Sequence, residues 1–432
     1  MNAARRSFLK TTCLAIVGAV MAAIAAGVIP HTMPAAFSLV LAIAAWACCL
    51  MSTAIAIGGL VVLHRERRSA DGRPDLFLSL NQDRSEAELL RLGSSARFGT
   101  VFSPRNIFPR SRLMVGDLVE IRSLESIQST LDENGTLDGV PFMAEMIPLC
   151  GKRARVFRRV DKVYDYGRSK TLRRLDDCVL LAGMRCDGSA HGGCQARCSM
   201  FWKTAWLQPL GTNDARDKSG AAKSVAQGNS PGMPLPQAFA PQRAEPYVCQ
   251  YTEVRAASTP LRDWDIRQDL RPLLAGNVTL GAFCIALYTR LFNRIQILRS
   301  GIGFPEVPTS GLTRTPVVNK EIAANDAVSV LSMQAIGHTL DVTSRNRGLW
   351  FDREMAKHCG QSHRVLQRVD RIVDDATGRM LVMKTPCVVL EDVVASGEFL
   401  RFCAQQEYIF WREAWLGAQL QKSRSGDESG RA

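Results

Sequence analysis

Histidine is scarce in this chain, with six among 432 residues, and only His191, His338, His358 and His363 lie beyond residue 64. The common signatures of catalysis are missing as well. No nucleophile elbow, phosphate-binding glycine loop, paired-histidine zinc helix or dinucleotide fingerprint occurs. These absences weigh against the familiar enzyme classes and leave an unfamiliar one open. No RNA- or DNA-binding motif is found either, and the arginines are scattered rather than massed. The net charge of +13 and pI near 9.3 therefore point to anionic phospholipid headgroups before nucleic acid.

Charge is also absent from two long stretches, Cys13 to Ile29 and Ala35 to Leu63. The first is near the lower limit for a spanning helix and the second is comfortably long enough. Between them, residues 30–34 are Pro-His-Thr-Met-Pro, a natural turn. Basic residues flank both outer ends: Arg5, Arg6 and Lys10 before, then His64, Arg65, Arg67 and Arg68 after. By the positive-inside rule, residues 1–68 are expected to form a transmembrane helical hairpin with both ends in the cytoplasm. The expected location is a bacterial inner membrane with the remaining domains facing the cytoplasm. The alternative is export by the twin-arginine route, on the run from Arg5 to Lys10.

The rest of the chain repeats itself. Gly139 recurs as Gly348, an offset of 348 − 139 = 209, and the register holds without a gap. Phe142, Glu145 and Met146 return as Phe351, Glu354 and Met355, and Cys150-Gly151 returns as Cys359-Gly360. Phe201-Trp202-Lys203 and Trp206-Leu207 return as Phe410-Trp411-Arg412 and Trp415-Leu416.

Each copy reads as a strand from Leu118, a brief helix capped by Ser123, a short helix at the Phe-x-x-Glu-Met segment, and two strands at 153–163 and 174–181. In the second copy, residues 374–378 form the hairpin turn. The expected fold class is mainly β with short helices (α+β). It would comprise two tandem small β-barrel-like repeats of SH3-like size, at 113–207 and 322–416, behind the transmembrane hairpin. A Gly/Ser/Pro-rich flexible linker is expected over 208–245 and a helical connector over 246–310. The connector's helices are placed at 261–274 and 277–299, and the second is basic and amphipathic. The tail at 417–432 is expected to be disordered.

Thirteen cysteines in a reducing cytoplasm read as buried thiols or metal ligands. Four soft ligands, Cys186, His191, Cys194 and Cys198, lie within thirteen residues among glycines. Zinc or an iron–sulfur cluster needs about that set. The second copy keeps only one of them: Cys194 returns as Cys403, while Cys186, His191 and Cys198 fall on Ala395, Leu400 and Glu407. A metal site is then private to the first copy, or else it uses the shared thiols Cys150/Cys359, Cys178/Cys387 and Cys194/Cys403. The competing reading makes the shared thiols small core residues. Glu145/Glu354, Arg155/Arg364, Arg159/Arg368, Asp161/Asp370 and Asp165/Asp374 also recur and could line a site, but ion pairs on strand surfaces account for them more simply. Trp202/Trp411 and Trp206/Trp415 are expected in the cores.

The run from Cys186 to His191, Cys-Asp-Gly-Ser-Ala-His, resembles the cluster-binding motif of CDGSH iron–sulfur proteins. One residue is inserted before the histidine, and the upstream Cys-x-Cys of that family is absent. The whole soluble part resembles bacterial membrane-anchored proteins in which the Gly-Val/Leu-x-Phe-x-x-Glu-Met and Phe-Trp-x-x-x-Trp-Leu elements occur twice. That resemblance implies a duplicated domain and brings no activity with it. The leading expectation is a membrane-anchored binding or scaffold protein that contacts other proteins. The alternative is a zinc- or iron–sulfur-containing redox or accessory enzyme built on the Cys186–Cys198 cluster.

Overall fold

The computed structural model describes residues 113–210 and 244–418, apart from 263 and 266. The expected hairpin at 1–68, most of the linker and most of the tail lie outside the described residues. Among those residues no helix is long and apolar enough to cross a membrane. The described chain is mainly β with short helices.

The first copy begins with strand β1 (Leu118–Ile121), then helix α1 (Leu124–Gln128). Ser123 caps α1, its hydroxyl accepting from the Ser126 amide at 3.3 Å. A small hairpin of β2 (Thr136–Leu137) and β3 (Val140–Pro141) leads to a 3₁₀ turn at Ala144–Leu149. The long strands β4 (Arg153–Tyr164) and β5 (Leu172–Leu181) follow, then β6 (Trp202–Lys203), a second 3₁₀ turn at Thr204–Trp206, and β7 (Leu207–Pro209). The strand order is β6-β5-β4-β1-β7, and the pairings along it are antiparallel. Val156, Val160 and Val163 of β4 are all buried, and the odd step from Val160 to Val163 spans a register irregularity between Val160 and Lys162.

In the connector, β8 (Thr259–Pro260) adds to β5 and follows helix α2 (Val254–Ala257). Helix α3 runs Arg267–Leu274 and α4 runs Leu280–Leu298. Both start later than the sequence pattern suggests, because capping groups set the boundary. The Asp265 carboxylate accepts from the Arg267 amide at 3.0 Å, and the Thr279 hydroxyl accepts from the Ala282 amide at 3.2 Å. Asn277 stays outside α4 and clamps β4, accepting from the Arg159 amide at 2.8 Å and donating to its carbonyl at 2.7 Å.

The second copy repeats these elements 209 positions on. They are β9 (Ala327–Val330), α5 (Met333–Gly337), β10 (Arg345–Asn346), β11 (Leu349–Trp350), α6 (Arg353–Ala356), β12 (Ser362–Val373), β13 (Met380–Val394), β14 (Tyr408–Trp411) and β15 (Leu416–Ala418). Its sheet order, β14-β13-β12-β9-β15, repeats the first. Gln208 and Pro209, given by composition to the linker, belong to β7, and Gly417 and Ala418, given to the tail, belong to β15. Pairing with β1 and β9 overrides composition there.

Each core is organised by the same aromatic triad. Phe142 meets Trp206 edge-on at 5.3 Å and Trp202 at 6.4 Å, and Phe351 meets Trp415 at 5.4 Å and Trp411 at 6.5 Å. The indole N–H of Trp206 donates to Thr130 at 3.1 Å and that of Trp415 to Thr339 at 3.0 Å. Cys178 and Cys387 are buried in β5 and β13 as core thiols. Among the recurrent charges, Arg159 and Asp161 do pair, at 3.1 Å. Arg155 and Arg364 instead donate to the backbone carbonyls of Gly116 and Asn325. The loops before β1 and β9 place those carbonyls within reach.

The chain divides into two compact units. One comprises the described residues up to Glu306 with Arg371–Met383 and Val394–Tyr408. The other comprises Val307–Asp370, Lys384–Val393 and the described residues from Ile409 onward. Within the first unit, Lys162 is buried and donates to the Gln268 carbonyl. Burial, opposed by nearby Asp269, lowers its ammonium from 10.5 to about 8. The unfolded chain therefore binds more protons between those values, and stability rises as pH rises through that window. The shift is worth about 3 kcal/mol. Lys162→Met is expected to remove this gain and to flatten the rise in melting temperature between neutral pH and 10.5. Equal pH slopes for wild type and variant would refute the assignment.

Candidate functional site

The site lies in the first unit and is built by the loop between β5 and β6. A bridge between Arg185 and Ser199 closes the loop's base, where the Cys186 amide also donates to the Cys198 carbonyl at 2.9 Å. The interior is wound tightly around Gly188. Its carbonyl accepts from the amides of His191 at 3.2 Å and Gly193 at 2.9 Å. Gly188 has φ +74°, and a Cβ there would sit 2.0 Å from the Cys194 carbonyl oxygen. Only glycine fits.

This winding turns Cys186, His191 and Cys194 inward, all three buried. The 3₁₀ turn after β3 brings Glu145 against them. Glu145 Oε1 accepts from His191 Nδ1 at 2.9 Å and from the Ala190 amide at 3.1 Å. His191 Nε2 then lies 3.4 Å from Cys186 Sγ, which also accepts from the Gly188 amide at 3.3 Å. Cys194 Sγ accepts from the Val373 amide at 3.3 Å. The ligand atoms of Glu145, Cys186 and His191 lie within 4.8 Å of one another. They adjoin a small cavity whose wall includes Cys194, Cys198, Cys249, Gln250, Tyr251 and Asp375.

The electrostatics follow from burial and contact. Burial alone would lower the imidazole, but bonds to Cys186, Cys194 and Glu145 outweigh it and raise His191 well above its ordinary pKa. Burial would raise the Glu145 carboxyl, yet the His191 bond holds it below its ordinary range. Burial raises the thiols of Cys186 and Cys198, and takes Cys249 up to about 11.

The second copy forms the same loop without the ligands. The Gly397 carbonyl accepts from the amides of Leu400 at 2.9 Å and Phe402 at 2.7 Å, and the Ala395 amide donates to Glu407 at 2.8 Å. A Cβ on Gly397 would sit 2.3 Å from the Cys403 carbonyl oxygen. Within the first unit the two loops dock reciprocally. Gln195 exchanges hydrogen bonds with Arg371, at 3.1 and 3.2 Å. Gln405 exchanges them with Tyr164, at 2.7 and 3.2 Å.

No protein-family profile, curated protein or solved structure matches the chain. The site therefore has to be read from its own geometry.

Of the residues singled out in the sequence, Cys186 and His191 touch directly, and Cys194 and Cys198 line the same cavity. Cys150 does not join them; its thiol faces the Met146 carbonyl at 3.9 Å. Cys359 is buried in the second unit's core. Of the two readings of Glu145, a surface ion pair and a place lining a site, the first does not describe it, since its side chain is buried against His191. Its counterpart Glu354 pairs with Lys357 at 3.0 Å instead. Cys249 was missed. It lies in the connector, far along the chain from the cluster, and nothing in its local pattern marks it.

Proposed function

We propose that this chain is a membrane-anchored binding protein whose first β unit carries a zinc ion on Cys186, His191, Cys194 and Cys198. One observation carries this reading: a buried carboxylate holds His191 by Nδ1 and aims Nε2 at a cysteine sulfur inside a cysteine-lined cavity. Three thiolates and one imidazole are a closed tetrahedral set for zinc, and an outer carboxylate on the histidine is the usual partner of such a ligand. The second copy supports a functional role. Its loop keeps the same backbone turns with Ala395, Leu400 and Glu407 in place of ligands. Forming the loop therefore does not require the ion, and the first copy keeps the ligands for some other purpose.

The same residues also resemble a Cys–His–Glu nucleophilic arrangement. Burial argues against it: Cys186 is 6% exposed, and a nucleophilic thiol needs access and a lowered pKa. The two β units are read as small barrels of SH3-like size. In each, a single 3₁₀ turn joins the two end strands of the sheet path, which favours closure. The uncharged N-terminal segments provide the anchor, and other proteins are the expected ligands.

The test is metal analysis with a visible spectrum on the full chain, purified in detergent without oxygen. One zinc per chain is expected, lost in Cys194→Ser and kept in Cys403→Ser, the matching position of the second loop. A folded wild type free of metal would overturn the reading, and so would iron with acid-labile sulfide.

A further inference from the structure

Helix α4 has one face packed into the first unit and another left bare. Phe283 stacks on Phe402 at 5.6 Å, Asn293 exchanges hydrogen bonds with the Phe304 backbone at 2.6 and 2.7 Å, and Phe292 and Gln296 are buried. Around the helix, Leu280, Cys284, Leu287, Leu291, Ile295 and Leu298 are exposed at helical spacing. Leu298 is 80% exposed and neighbouring Ile297 is 74% exposed. A row of bare aliphatics along five turns is more than an ordinary soluble surface carries. Just upstream, Trp264 is 73% exposed, with the Arg262 guanidinium over its ring at 5.6 Å.

We propose that α4 lies in the interface of an anionic phospholipid bilayer, with its leucine row in the acyl boundary and Arg294 and Arg299 on the headgroups. Charge decides between this occupant and a second copy of the chain. Helix α4 contains no Asp or Glu; Arg290 is held by Asp269 at 2.8 Å, while Arg294 on the helix and Arg299 just past its end are exposed. Two such helices paired face to face would bring the Arg294 and Arg299 charges of both together with no carboxylate on either helix to answer them. Phosphatidylglycerol headgroups answer it directly, and an exposed tryptophan suits the same depth. The proposal shares with the functional reading only the N-terminal anchor, which would hold the chain at the bilayer.

Cys284 supplies the probe, being the exposed thiol among the described cysteines. The full chain, labelled with a polarity-sensitive fluorophore, is incorporated into vesicles of equal parts phosphatidylglycerol and phosphatidylcholine. Labelled Cys284→Ser is subtracted as background. A blue shift is expected, with quenching by acyl-brominated lipid, both lost in Leu287→Glu/Leu291→Glu. Flotation with the vesicles but no lipid quenching would leave the anchor standing and overturn the proposal for α4. Label-to-label quenching between chains, without lipid quenching, would overturn it in favour of a second copy. Failure to float would overturn both.

Discussion

Gly188→Ala is expected to strip zinc from the chain and to lower the melting temperature of the first unit by about 10 °C. Gly397→Ala should cost similar stability and leave the zinc bound. Both glycines sit in the left-handed region, at φ +74° and +75°, where any other residue costs about 1–2 kcal/mol. Each also lies against a backbone carbonyl that cannot swing aside as a side chain could. The new Cβ would fall 2.0 Å from the Cys194 oxygen in one loop and 2.3 Å from the Cys403 oxygen in the other. Relieving that contact means moving Cys194 or Cys403, and such forced shifts cost about 1–3 kcal/mol more. The difference between the loops lies in what moves. Displacing Cys194 carries a proposed ligand away from His191 and Cys186, whereas Cys403 sits among Ala395, Leu400 and Glu407. Differential scanning fluorimetry with metal analysis on both variants checks the pair. Zinc retained by a destabilised Gly188→Ala would separate the loop's geometry from the metal and refute the assignment.

The duplication was legible because it is written in large residues. Tryptophans and phenylalanines at a fixed offset specify the same aromatic triad twice, and the fold inherits the register. Strand edges were less legible. Gln208, Pro209, Gly417 and Ala418 have the composition of loops and become strand only because β1 and β9 offer free edges to pair with. The basic residue in Phe-Trp-Lys/Arg had no evident role in the sequence, and burial supplies one. Lys203 reaches Asp138 at 2.7 Å, and Arg412 donates to the carbonyls of Asn346 and Arg347 at 3.2 and 2.9 Å.

The site was half legible for a related reason. Cysteine and histidine within thirteen residues announce themselves, but a carboxylate forty-one positions upstream does not. Glu145 recurs as Glu354, and recurrence in both copies favoured a surface ion pair over a place lining a site. The structure separates them: Glu145 meets a histidine that the second copy replaces with Leu400, so one conserved position serves two different partners. Fold constrains both copies alike, and the loop that follows the second long strand, β5 or β13, is where they were free to diverge.

Glu145→Gln should weaken zinc binding by about 10–100-fold, the range expected when the outer partner of a ligating histidine is lost. The amide can still accept from His191 Nδ1, so geometry is largely kept and the lost charge is what the variant measures. That charge acts on two competing cations. It favours a metal ion on Nε2, and it also favours the proton there, which is why the metal-free imidazole is held charged. Zinc must displace that proton and those of the thiols, so affinity falls as pH falls. In the variant the imidazole loses its proton more readily, and the dependence on pH near neutrality should become shallower even as affinity drops. Glu354→Gln, whose carboxylate pairs with Lys357, should change neither quantity. Competition against a chromophoric chelator across a pH series measures both. If Glu145→Gln binds zinc within about threefold of wild type, the carboxylate is not the partner of a metal-bound histidine. The buried contact between Glu145 and His191 would then be a feature of the fold alone.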